Sequence, residues 1–270
     1  PPVKKSKCLA LADLDWPAIE GSLDAQGFAK LPPLLAASEC ESIAALYKND
    51  ALFRSRIDMA RFRFGVGEYK YFAAPLPEIV QTLREDLYVR LAPIANRWSK
   101  GRHAGRPLQR GDAYPPTLEG FRRTCHAAGQ TRPTPLLLSY AAGGYNCLHQ
   151  DIYGELAFPL QVVFVLSRLG VDYTGGEFLL VEQRPRAQSR GHALAVEQGA
   201  AVIFATRERP VAGTRLRSRT NRPASFGEAR HSAEGATAER GSYRVVMRHG
   251  VSTLTSGARM SLGIIFHDAR

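Results

Sequence analysis

The stretch TPLLLSYAAGGYNCLHQD, residues 134–151, marks a change of texture along this chain. An apolar run of strand length ends in the bend at Gly143 and Gly144, and His149 and Asp151 follow two positions apart. The runs FPLQVVFVLS (158–167), GEFLLVE (176–182), GAAVIFA (199–205), YRVVMRHGVS (243–252) and RMSLGIIFH (259–267) come after it, with glycine-rich turns between several of them. Short apolar runs punctuated in this way predict strands, and the series predicts an all-β sandwich or jelly roll.

Before residue 130 the pattern is mainly helical. SECESIAALYKN (38–49) places Glu41 three residues after Ser38, which predicts a capping box. Ile79, Leu83, Leu87 and Leu91 recur every four residues after Pro77, predicting a helix that Pro93 kinks or ends before Trp98. RFRFGVGEYKYF (61–72) alternates aromatic and charged residues and predicts a strand or hairpin. The organisation expected is an N-terminal helical region, residues 1–130, packed on a β core of residues 131–270. Residues 206–242 carry many arginines, among them Arg207, Arg209, Arg215, Arg217 and Arg219, and predict a long exposed insertion with no core role.

With 270 residues, 44% of them hydrophobic, the chain can build a substantial core. No run approaches the roughly 18 apolar residues of a spanning helix, so no membrane role is expected. PPVKKSKCLALADLDW (1–16) is interrupted by Asp13 and Asp15, which argues against a secretory signal. Cys8, Cys40, Cys125 and Cys147 form no CxxC pair, and their wide separation fits a reducing cytoplasm. The formal charge of +11 suits a polyanionic partner such as nucleic acid, and equally an arginine-rich solubilising surface.

On a strand, positions i and i+2 share a face, so His149 and Asp151 can offer a nitrogen and an oxygen to one point. By the same alternation Cys147 is expected on the face of His149, as inert packing. His249, at the end of its strand, is the best third ligand; His231 and His267 are rivals. Two His and one carboxylate leave three adjacent positions open on an octahedral ion, the arrangement of non-haem Fe(II) oxygenases, although zinc accepts the same donors. Ten residues on, Arg259 and Ser261 can be placed by a hairpin side by side in the same cavity. A guanidinium fork with a hydroxyl beside it is what the distal carboxylate of 2-oxoglutarate requires. Glu182, Gln183, Arg184 and Arg186 end a strand and read equally as substrate-facing or as a solvated salt-bridge cluster.

These motifs together resemble the Fe(II)/2-oxoglutarate-dependent dioxygenases. YAAGGYNCLHQD resembles the approach to the metal in the AlkB nucleic-acid demethylases, Tyr-Ala-x-Gly and then Leu-His-Gln-Asp, and by that likeness Tyr140 contacts the cosubstrate. The turn Thr255–Arg259 is similar to the TSGxR turn of prolyl hydroxylases. AlkB enzymes carry a second arginine six residues after the first, where this chain has Ile265. The blocks RFRFGVGEYKYF, CHAAGQTRPTPLLL, GGEFLLVEQRPRAQSR and SLGIIFHDA look like a bacterial oxygenase family catalogued for oxidative demethylation of damaged nucleic acid. The resemblance implies a double-stranded β-helix, cupin-like, with Fe(II), 2-oxoglutarate and O2 as cofactor and cosubstrates. His149, Asp151 and His249 would hold the metal, and Arg259, Ser261 and Tyr140 the 2-oxoglutarate. The expected substrate is an alkylated nucleic acid, with a protein or peptide side chain (prolyl or arginyl) as the alternative. A non-enzymatic binding or sensor module is the third reading.

Overall fold

The computed structural model describes residues 10–99, 113–212 and 242–270. In chain order the helices are α1 (Trp16–Gln26), α2 (Ala37–Ala45), α3 (Glu78–Ser99) and α4 (Leu118–Ala127). The strands begin with β1 (Phe28–Pro33), β2 (Phe53–Asp58), β3 (Gly65–Val66), β4 (Glu68–Phe72), β5 (Leu136–Ala141), β6 (Tyr145–His149) and β7 (Leu160–Val165). They continue with β8 (Tyr173–Gly175), β9 (Phe178–Gln183), β10 (Arg190–Leu194), β11 (Ala200–Ala205), β12 (Glu208–Ala212), β13 (Ser242–Val251) and β14 (Leu254–Ile264).

Among the described residues an 8-stranded sheet runs β1-β11-β7-β14-β5-β4-β2, with β8 also on β14. A 6-stranded sheet runs β10-β9-β13-β6-β3, with β12 also on β13. The two face each other as the mainly β jelly roll with flanking helices that the apolar runs predict. Strands from the first 130 residues belong to both sheets: β1, β2 and β4 extend the larger and β3 edges the smaller.

Two faces of the larger sheet are covered, which is why its strands read as almost continuous apolar runs. In β7, Val162 and Phe164 join Leu83, Leu87 and Leu91 of α3 in the core outside the barrel. Val163 and Val165 point the other way, into the barrel with Leu180, Phe204 and Val251. Truncating a fully buried leucine such as Leu87 at that helix–sheet contact costs about 2–5 kcal/mol.

Several local expectations are corrected. The cap of α2 is at Ala36, whose backbone N–H donates to the Glu39 carboxylate at 2.8 Å, so Ser38 lies inside the helix. α3 continues through Pro93 without ending there. Pro93 and Val89, the residue whose carbonyl loses its donor, are both exposed, so water can satisfy that oxygen. Only Glu68–Phe72 of the 61–72 block makes the main hairpin, with β2; a 3-10 turn and the two-residue β3 precede it.

The insertion expected at 206–242 starts too early. Glu208–Ala212 is a strand paired with β13, while residues 213–241 lie outside the described residues, and with them Arg215, Arg217, Arg219 and His231. Arg209 is 1% exposed. Its guanidinium pairs with the Glu182 carboxylate and donates to the Asp24 carbonyl at 2.9 Å, a neutralisation that residue-type statistics do not anticipate. Glu182 is therefore buried between Arg209 and Arg184, and belongs neither to a substrate face nor to a fully solvated cluster.

Candidate metal centre

β6 and β13 are antiparallel neighbours with His149 opposite His249, so the smaller sheet delivers both imidazoles to one place. Their ring centroids are 4.2 Å apart. Asp151, just past the end of β6, lies between them: Oδ1 is 3.5 Å from His149 Nε2 and Oδ2 is 3.1 Å from His249 Nε2. One donor atom from each of the three residues falls within 4.8 Å of the others. His149 Nδ1 donates to the Cys147 carbonyl at 2.8 Å, which leaves Nε2 as the nitrogen that could bind a cation.

The electrostatics are those of a cation site. Burial alone would raise the Asp151 carboxyl, yet the two imidazoles hold it well below the ordinary range. Burial and the neighbouring His149 depress His249, and against burial Asp151 raises His149. An ionised carboxylate and two imidazoles, from which a bound cation would displace any proton on Nε2, fit a divalent ion such as Fe(II).

The ladder between β6 and β13 slips between His249 and Val251, so Asn146 and His149 both turn inward although they are three residues apart. The alternation expected to put Cys147 beside His149 is broken by that slip, and Cys147 and Leu148 are both exposed.

Across the barrel, β14 carries Arg259 and Ser261. It does not pair with β13: its partners are β5, β7 and β8, and the chain changes sheets at Ser252 and Thr253. The expected hairpin is thus a crossover, and Arg259 faces His149, Asp151 and His249 from the opposite wall. Arg259 is 1% exposed, its Nη1 lies 3.2 Å from Ser261 Oγ, and its Nε has no hydrogen-bond partner. Among the described residues no carboxylate pairs with it. The Tyr140 and Tyr173 rings each lie 5.9 Å from the guanidinium carbon. Tyr140 is buried, its hydroxyl accepts from Asn146 Nδ2 at 3.3 Å, and burial raises its pKa.

A cavity of about 360 Å3 joins these groups, its wall including His149, Asp151, His249, Arg259, Ser261 and Tyr140. The six side chains singled out in the sequence are thus brought to one space, whereas His267 is not. His267 is fully buried, and its Nδ1 accepts from the Phe158 N–H at 3.3 Å.

A family model described as "Oxygenase, catalysing oxidative methylation of damaged DNA" matches residues 67–234 and 230–269. The chain belongs to this oxygenase family. It is an oxidoreductase. The oxygenase is 47% identical over 199 residues, 73% of this chain and 72% of the relative, to "Uncharacterized protein Rv2227" of Mycobacterium tuberculosis strain H37Rv. "Uncharacterized protein MT2286" of strain CDC 1551 shows the same figures, 47% over 199 residues. Among solved structures, a Pseudomonas putida prolyl-4-hydroxylase is 14% identical with a TM-score of 0.46, covering 94% of this chain and 99% of that one. A 2OG-Fe(II) oxygenase family oxidoreductase of Burkholderia pseudomallei is 14% identical with a TM-score of 0.49, covering 95% and 93%. Among the described residues no helix is long and apolar enough to cross a membrane.

Sequence reasoning missed three polar groups of this oxygenase. Tyr153 donates to Asp151 Oδ1 at 2.7 Å and accepts from Tyr71 at 2.8 Å, so a tyrosine pair holds the carboxylate from behind. The i+2 spacing from Asp151 to Tyr153 was the available signal. Asn146 was hidden by the ladder slip. Gln161 is 3% exposed in the cavity wall with its amide nitrogen unpartnered, and it looked like an interruption in an apolar strand.

Proposed function

We propose that His149, Asp151 and His249 ligate Fe(II), that Arg259 and Ser261 bind the distal carboxylate of 2-oxoglutarate, and that Tyr140 packs against it. The observation that carries this reading is the buried guanidinium with a free Nε, sharing one cavity with the Asp151 carboxylate and two imidazoles. A buried cation without an anion is costly, and a dianionic cosubstrate supplies the missing partner. Once bound, the metal with 2-oxoglutarate would supply O2 activation, with 2-oxoglutarate converted to succinate and CO2 and the second oxygen atom inserted into a substrate C–H bond.

The chain's own contribution is positioning. Tyr153 fixes the plane of Asp151, the Cys147 carbonyl fixes the His149 tautomer, and Phe178 and Phe204 wall His249 at 6.0 and 4.7 Å between ring centroids. Apolar walls keep water from the reacting C–H bond.

We infer an N-alkylated nucleic acid as substrate, where hydroxylation of a methyl group gives a hemiaminal that releases formaldehyde. The family description and the charge of +11 support it. The test is succinate release with Fe(II), 2-oxoglutarate and O2, comparing methylated single-stranded DNA with a proteome-derived peptide pool. Succinate formed with the methylated strand and not with its unmethylated control is expected; turnover with peptides alone overturns the substrate. His149→Ala or Asp151→Ala should abolish iron binding, and either variant with normal iron content overturns the ligand set.

A further inference from the structure

The rim of the cavity bears a surface that the metal chemistry does not explain. Phe62, Phe64, Val66, Tyr145 and Leu148 are 49%, 46%, 45%, 38% and 40% exposed, most of the large exposed apolar side chains among the described residues. Phe64 and Leu148, with Arg63, stand in the cavity wall beside His149. Val66 is registered on Tyr145, and the Phe64 carbonyl accepts from the Cys147 N–H at 2.8 Å. The patch therefore hangs on the strand that ends in His149.

Its centre is a pair of stacked rings. The Phe62 and Phe64 rings stack with centroids 5.7 Å apart and planes within 20°. Arg61 lies over Phe62 at 5.9 Å, and Arg61 and Arg63 are both exposed and unpaired with any acid among the described residues. The nearest acid in sequence, Asp58, is exposed and accepts from the Ala60 N–H at 3.0 Å. The turn is held in place: Arg63 sits at φ 61°, and a Cβ on Gly65 would lie 2.3 Å from the Tyr145 carbonyl oxygen, so only glycine allows β3 to approach β6. Exposed apolar patches at a site mouth mark binding surfaces. A stacked pair of half-exposed rings beside two unpaired guanidiniums matches stacked bases linked by phosphates.

We propose that Phe62 and Phe64, with Arg61 and Arg63, form a stacking platform for unpaired bases flanking the reacting nucleotide of a single-stranded nucleic acid. The proposal rests on the nucleic-acid reading above and adds where the strand lies. Stacking on such side chains changes affinity by about 5- to 100-fold per base, and each phosphate contact adds about 0.7 to the salt slope of a single strand.

The test uses the full chain, an undamaged fluorescein-labelled oligothymidylate and a strand of equal length and charge built from abasic units, with anisotropy read at several salt concentrations. Phe62→Ala with Phe64→Ala should weaken oligothymidylate binding at least fivefold with an unchanged salt slope, and leave abasic-strand binding unchanged. Arg61→Ala with Arg63→Ala should weaken both strands and flatten the slope by about one or more. Phe64→Trp should retain binding, which separates stacking from damage to the fold. A double-Phe variant that binds oligothymidylate as the parent does overturns the platform while leaving the substrate class standing. Failure of the parent chain to bind either strand overturns both, and succinate release with peptides would then name the alternative.

Discussion

Among the described residues three arginines are fully buried, and they divide into two kinds. Arg84 donates to the carbonyls of Ile265 and Phe266 and to the Asp268 carboxylate, all at 2.9 Å or less; Arg209 pairs with Glu182 and the Asp24 carbonyl. Arg259 has only the Ser261 hydroxyl at 3.2 Å. The first two are neutralised within the fold and tie helices to sheets. The third leaves its charge uncompensated, as a binding group must if it is to gain from a ligand what the fold has withheld.

The largest effect should come from breaking the neutralised kind. Asp268→Ala leaves Arg84 buried without its anion, with Arg122 and His126 also losing their partner, and should cost about 3–5 kcal/mol in urea unfolding. A loss under 1 kcal/mol would erase the distinction. Arg259→Met, similar in volume, should leave the Tm of the cosubstrate-free protein unchanged or higher. It should also raise the 2-oxoglutarate requirement by about 100-fold, the loss of a bidentate partner worth about 3 kcal/mol. Arg259→Lys should recover only part of this, because a point charge lacks the fork.

Protonation probes the same contrast more gently. Burial, helped by Arg84, pushes His267 down from 6.5 to about 4, against the opposing pull of Asp151 and Asp268. The unfolded chain takes up a proton near 6.5 that the folded chain refuses until about 4. The contribution to stability is therefore complete above pH 6.5 and lost as pH falls toward 4. Urea midpoints across that window should decline in the parent and decline less in His267→Gln. The smallest effect belongs to an exposed pair: Arg168→Ala, which removes a partner of Asp172 at 2.7 Å, should leave the urea midpoint nearly unchanged, because solvent screens the pair.

How much was legible in the sequence follows from the range of the interactions. The six apolar runs beginning at residue 134 contain strands because burial on one face or two leaves a local signature. Pro93 and Ser38 misled because solvent access and a cap one turn earlier decide those positions. Arg209 misled because its partner Glu182 is 27 residues away. β10 and β12 went unseen because their residues are mostly polar or exposed, and their pairing with β9 and β13 alone makes them strands.

The candidate site divides along the same line. HxD, a later His, and Arg–x–Ser are short-range spacings, and β geometry turns each spacing into a shared face, so the sequence by itself singled out the side chains proposed here as the donor set. Only the tertiary structure decided that β13 and β14 lie on opposite walls. The same holds for the ladder slip that turns Asn146 inward beside the site, for Tyr71 and Tyr153 behind Asp151, and for the Phe62–Phe64 platform at the mouth. Each of these depends on which strands pair and in what register, and pairing energies are summed over residues far apart in the chain.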